Sequence, residues 1–322
     1  MKVLLTGATT TLGVAVARAL ATAPDVESVL AIGREPSCEL AELPHVDYQM
    51  LDLRRPRVLH DLIWGEARTR GIEVVVHAMQ HRHSSDRGDP IHAQNVESTR
   101  ELMVACATHP TIHRLVLRSF AEVYTLRHAT SNLIDEDDPL DFDPAAPQWL
   151  RDRVEADLTA CAHLGGSLEI AVLRCAEIFA EGTGSQLWDY VRSSVCLRPL
   201  GFDPMINLLG LADAVRAFEL AIRSHATGVF NIPGATTLPL SLAIWESRRA
   251  GIPVPGPLLA PLYGLRRWVA GFDFRYDLNL RRFHFGGVLD GTRAARELGY
   301  APAVPVDWPK PWWQLLFERL AA

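Results

Sequence analysis

The chain has 322 residues, 48% of them hydrophobic and 22% charged, with a formal net charge of -6. That composition belongs to an ordinary globular chain, not to a disordered, collagenous or coiled-coil one. The net acidity and the lack of any basic run speak against a nucleic-acid partner, and no apolar run approaches the roughly 18 residues that a membrane-spanning helix needs.

Residues 2–5 read as a strand, 12–23 as a helix, and 27–32 and 47–50 as two more strands. A helix over 58–69, a strand over 73–77 and a helix over 93–108 follow, then a strand over 114–117, a helix over 150–164 and a strand over 168–173. Strand and helix alternating in this way predict parallel strands joined by crossover helices. Continuous apolar strands such as Val74-Val75-Val76 fit a sheet covered on both faces. The second half is less regular, and richer in proline and aromatics around 253–274 and 308–313. The expected architecture is α/β: a doubly wound parallel sheet over 1–175, to which 205–230 returns, with 176–204 and 231–322 forming a smaller substrate domain. Cys38, Cys106, Cys161, Cys175 and Cys196 form no CxxC pair, and no secretory leader is evident before the first strand. Both observations predict a reduced, cytoplasmic protein.

Between the first strand and the first helix lies Thr6-Gly7-Ala8-Thr9-Thr10-Thr11-Leu12-Gly13. Gly7 permits a tight turn and Gly13 a close approach of helix to strand. The helix N-terminus then offers free N–H groups and a positive dipole end to a pyrophosphate, as in Rossmann-type folds. From here the sequence resembles the extended short-chain dehydrogenase/reductase family, also called the NAD-dependent epimerase/dehydratase family, whose loop is TGxxGxxG. The chain departs from that pattern at the middle glycine, which is Thr10. Further segments resemble the family's landmarks in order. They are Val74 to Ala78 beside the nicotinamide, Asn95-Val96 with Thr99, Val123-Tyr124, Leu173-Arg174, the segment 200–204 followed by Asp213, Phe230-Asn231-Ile232, and 290–300.

By this resemblance the dinucleotide would contact Gly7, Thr9, Thr10, Thr11, Leu12, Gly13, Gly33, Arg34, Asp52, Leu53, His77, Ala78, Met79, Asn95 and Arg153. NAD-specific members carry an acid at the end of the second strand to hold the ribose 2′-hydroxyl. That position falls on Gly33, with Arg34 next. A missing carboxylate beside a guanidinium favours NADP over NAD. Only two of the 32 basic residues are lysines, so an arginine at any one place carries little weight alone.

The family's proton chemistry requires a Tyr-xxx-Lys pair on one helix and a Ser or Thr on the preceding loop. In register with Val123-Tyr124, those positions fall on Trp149, Arg153 and Phe120. An indole N–H donates only and does not titrate near neutrality, and a phenyl ring offers no hydrogen bond. Losing acid–base catalysis removes ~10²–10⁴ in rate, or about 3–5 kcal/mol of barrier. Glu122 falls where dehydratases and decarboxylases of the family carry a working glutamate, and Ser119 adjoins the lost Ser/Thr position. His77, His81, His83 and His92 surround one loop, from which an imidazole of near-neutral pKa could act as a replacement acid or base. No carboxylate or cysteine spacing there supports a metal site.

Three functions are therefore open. One is a dinucleotide-binding relative, binding or regulatory, that has lost the standard chemistry and has no catalytic residue at Phe120, Trp149 and Arg153. The others are an NADP-dependent oxidoreductase or epimerase using replacement residues on a hydrophobic or sugar-nucleotide substrate, and an interaction protein with an empty nucleotide site. Residues 258–274 read as a core helix, a wall of a hydrophobic pocket, or a membrane-surface contact. The helices near 93–108 and 150–164 are candidate surfaces for a homodimer.

Overall fold

The computed structural model describes residues 1–78, 88–126, 132–270 and 274–310. Its centre is a parallel sheet of seven strands: β1 (Lys2–Thr6), β2 (Ser28–Gly33), β3 (Val46–Met50), β4 (Val74–His77), β5 (Arg114–Phe120), β6 (Glu169–Cys175) and β7 (Gly228–Ile232). Their order across the sheet is β7-β6-β5-β4-β1-β2-β3. The chain thus reverses its direction of winding between β1 and β4, and a crevice opens beyond the carboxyl ends of those strands.

Every residue of β4 and β5 is buried, because helices cover both faces. Side chains alternate between two cores, as the period of a strand requires. Val74 and Val76 pack with the helices Thr11–Thr22 and Leu211–Arg223, while Val75 packs on the other face with Leu102 and Met103. The helix Thr11–Thr22 buries Leu12, Gly13, Val16, Ala17, Leu20 and Ala21, a stripe at helical spacing. β5 extends three residues beyond the predicted 114–117, so Phe120 closes a strand and does not begin a loop.

Met205–Leu209 pairs antiparallel with Thr236–Pro239 and parallel with Glu177–Ile178 in a second, three-stranded sheet. The return to the large sheet therefore starts at the helix Leu211–Arg223, later than 205. Ala294, Leu298 and Tyr300 pack into the large core as well, so 292–300 belongs there by its contacts. The aromatics of the second half make their own core: the Tyr190 ring lies 4.9 Å from Phe283 and 5.1 Å from Phe274, and Tyr263 lies 4.9 Å from Phe274. The helix Gly256–Ala270 joins this core through Leu259 and Tyr263 only. Its other face exposes Leu258, Leu265, Val269 and Trp268, the last at 85%. Among the described residues no helix is long and apolar enough to cross a membrane.

Candidate functional site

The loop after β1 turns at Gly7, whose φ of +74° lies in the left-handed region that glycine tolerates. Thr10 caps the following helix. Its Oγ1 donates to the Gly7 carbonyl at 2.8 Å and accepts from the Gly13 N–H at 2.9 Å. The threonine that replaces a glycine thus folds its hydroxyl back into the loop. Gly13 has no freedom to change: a Cβ there would lie 2.2 Å from the Gly7 carbonyl oxygen. Leu12 is a core side chain, so it can meet a ligand only through its backbone. Thr11 and Leu12 begin the helix with N–H groups that no earlier turn can satisfy. Thr11 Oγ1 also donates to the Glu181 carbonyl at 3.2 Å, tying the loop to the second half of the chain. Tight turn, capped helix and a glycine no larger residue can replace together fit a bound pyrophosphate.

At the end of β2, the acid position is filled as well as lacking a carboxylate. A Cβ on Gly33 would lie 2.5 Å from Thr9 Cγ2 and 2.9 Å from the Tyr48 hydroxyl. Arg34 Nη1 donates to Gln94 Oε1 at 2.7 Å on the surface. Asp52 takes two bonds from Arg54, at 2.8 and 2.7 Å, which hold its carboxyl below the usual range. Leu53, Ala78 and Asn95 are buried around this end of the sheet. Met79, His81 and His83 lie outside the described residues.

His77 is fully buried, with Nδ1 2.7 Å from Thr6 Oγ1 and Nε2 3.0 Å from Thr99 Oγ1. Thr99 Oγ1 also donates to the Asn95 carbonyl at 2.7 Å. Burial drives the imidazole pKa down to about 4. His92 instead sits 3.0 Å from Asp152 Oδ1, and that bond raises its pKa. Among the described residues, no group of three or more His, Cys, Asp or Glu is placed to hold a metal.

Phe120, Trp149 and Arg153 meet. Trp149 and Arg153 stand one turn apart on the helix Gln148–Cys161, facing the end of β5. The Arg153 guanidinium carbon lies 3.7 Å from the centre of the Phe120 ring and 4.7 Å from that of Trp149. Arg153 Nη1 is 3.6 Å from Glu122 Oε1. Burial lowers the Arg153 pKa to about 10, against the Glu122 charge that raises it, so it stays cationic at neutral pH. Ser119, beside the lost Ser/Thr position, and the landmark Tyr124 are committed elsewhere. Ser119 Oγ donates to Asp157, which takes two bonds from Arg174 at 3.0 and 2.7 Å. The Tyr124 hydroxyl donates to Asn231 Oδ1 at 2.7 Å and accepts from Arg174 at 3.0 Å, and burial pushes its pKa well above the ordinary value. Both residues brace the carboxyl ends of β5 and β6.

Glu122 lies between two guanidiniums. Burial alone would raise its pKa, but Arg153 and Arg282 outweigh that and hold it below the usual range. Its Oε1 is 3.5 Å from Arg282 Nη1, while Arg282 Nη2 bonds Glu177. Glu177 also accepts from Ser185 Oγ at 2.6 Å and from the Leu187 N–H at 2.9 Å. Glu122, Trp149 and Glu177 line a cavity of about 280 Å³ beyond the ends of β5 and β6, bordered on its far side by 205–207, 277–282 and 285–287. No described residue of the helix Gly256–Ala270 lines it. Sequence reasoning missed Glu177, Arg281 and Arg282. They lie in segments that match no motif, and in an arginine-rich chain an arginine carries no signal of its own.

The profile of the NAD dependent epimerase/dehydratase family matches residues 3–232. An uncharacterized protein of Mycobacterium tuberculosis is 29% identical over 309 residues, covering 93% of this chain and 80% of that one. Among solved structures, a UDP-glucuronic acid 4-epimerase from Bacillus cereus in complex with UDP-glucuronic acid and NAD superposes with a TM-score of 0.70 at 16% identity, over 95% of each chain. A dTDP-glucose 4,6-dehydratase from Streptomyces venezuelae, with NAD bound, gives a TM-score of 0.68 at 19% identity, covering 95% of this chain and 93% of that one.

Proposed function

Because this chain belongs to the NAD-dependent epimerase/dehydratase family, we propose that it is a dinucleotide-binding member that has given up the family's Tyr-xxx-Lys proton chemistry and serves as a binding or regulatory protein. The observation that supports this reading is the stack of Phe120, Trp149 and Arg153, the residues that the sequence register aligns with the family's hydroxyl, tyrosine base and lysine in that order. Arg153 is the cation left there, and it is engaged with two rings and a carboxylate. Trp149 brings a buried N–H in place of a phenol, and a donor that does not titrate cannot take a proton from an alcohol.

The dinucleotide is NADP(H) in this proposal, with NAD(H) second. No carboxylate stands at Gly33 to accept from a ribose 2′-hydroxyl, Thr9 and Tyr48 fill the space beside it, and Arg34 follows it on the surface. The loop from Gly7 to Gly13 would hold the pyrophosphate. The bound nicotinamide would supply hydride chemistry, and this chain's residues would orient it without a proton relay through Trp149. The test incubates the protein with NAD⁺ or NADP⁺ and UDP-glucose or UDP-glucuronic acid, following nicotinamide absorbance and product stereochemistry by NMR. Neither reduced cofactor nor epimerised sugar is expected. Turnover by the wild type that survives in Trp149→Phe would identify a replacement base and overturn the proposal.

A further inference from the structure

The cavity beside Trp149 has a charge pattern that bears on what it admits. Among the described residues its lining carries five carboxylates, Glu122, Asp141, Asp143, Glu177 and Asp277, and two guanidiniums, Arg281 and Arg282. Both guanidiniums are committed. Arg281 bonds Asp141 and Asp143, while Arg282 stands between Glu122 and Glu177. Outside the lining, Arg153 and Arg275 are held by Glu122 and Asp277 in turn, and the buried Arg118 adds a third positive charge that acts on Glu122. Leu126, Ile134, Leu150, Ile206, Phe285 and Leu289 give the wall an apolar stretch, and Tyr124, Asn207 and Asn279 line it as well.

A diphosphate entering this space would meet five carboxylates on the described lining, where Arg281 and Arg282 already hold carboxylates of their own. Burying an uncompensated anion in such surroundings is strongly unfavourable. An uncharged ligand meets no such barrier and gains from the apolar stretch.

We infer that the cavity takes an uncharged, mainly apolar ligand and excludes nucleoside-diphosphate sugars. This rests on the reading of the cavity as the substrate side of the dinucleotide site. The experiment titrates the full chain by calorimetry, with and without NADPH, against UDP-glucose, UDP-glucuronic acid, n-octanol and cyclohexanone. Saturable heat is expected from the two uncharged probes and none from the UDP-sugars. Saturable UDP-sugar binding, or no binding of either uncharged probe, overturns the inference. The arm without NADPH keeps this result separate from a failure of the dinucleotide site.

Two variants localise the effect. Met205→Trp fills the rim of the cavity and should abolish binding of the uncharged probes. If binding is unaffected, it lies elsewhere and the inference fails. Glu177→Gln keeps a side-chain oxygen for Ser185 and Leu187 but releases Arg282. It should confer a UDP-glucose affinity that the wild type lacks, and no gain contradicts the charge argument.

Discussion

At the scale of single residues, the fate of each titratable group follows from what surrounds it. His77 has a normal pKa in the unfolded chain and one near 4 when folded. Its folded pKa is depressed, so the unfolded state binds the extra proton as pH falls below about 6.5, and stability is lost from there down toward pH 4. The difference corresponds to on the order of 3 kcal/mol. The pH dependence of thermal unfolding should be visibly flatter in His77→Asn than in the wild type between about pH 6.5 and 4.5. Equal slopes would show that the imidazole is not buried as described. Asp157 is a buried carboxylate that holds Arg174 and Ser119. Asp157→Ala leaves the guanidinium without its counterion and should cost roughly 3–5 kcal/mol in denaturant unfolding. A cost below about 1 kcal/mol would mean that the network does not brace the two strands.

Among secondary-structure elements, the first half of the chain was legible because its residues obey two simple periods. Val74-Val75-Val76 alternates between two cores, and Leu12, Val16 and Leu20 repeat at helical spacing. The loop over 7–13 was legible for a related reason, since Gly13 leaves no room for a side chain and Gly7 turns with a positive φ that favours glycine. What could not be read was long-range. Nothing in the sequence brings Glu177 to Arg282, a separation of 105 residues, or shows that Thr9 and Tyr48 fill the space beside Gly33. That last contact makes a prediction about cofactor engineering. Gly33→Asp, the obvious change toward NAD, should weaken dinucleotide binding and lower the melting temperature, because the new Cβ collides with Thr9 and Tyr48. A clean switch to NADH preference at unchanged stability, measured by calorimetry and thermal unfolding, would refute the close packing.

Over the whole molecule, the large parallel sheet supplies the crevice at its β1–β4 reversal, and the smaller sheet roofs a cavity beyond β5 and β6. The expectation of a core helix near 258–274 is met on one face only, with Leu259 and Tyr263 inside and Trp268 outside. Single-helix periodicity cannot distinguish such a face from a buried one, since both are apolar. The account as a whole depends on a dinucleotide lying between the loop at Gly7 and the ring of Trp149. The most direct measurement is a titration with NADPH and with NADH, following tryptophan fluorescence in the wild type and in Trp149→Phe. Micromolar quenching with NADPH preferred, much reduced in amplitude in Trp149→Phe while calorimetry still reports binding, is the predicted result. No binding of either nucleotide, reduced or oxidised, by fluorescence and calorimetry alike would contradict it.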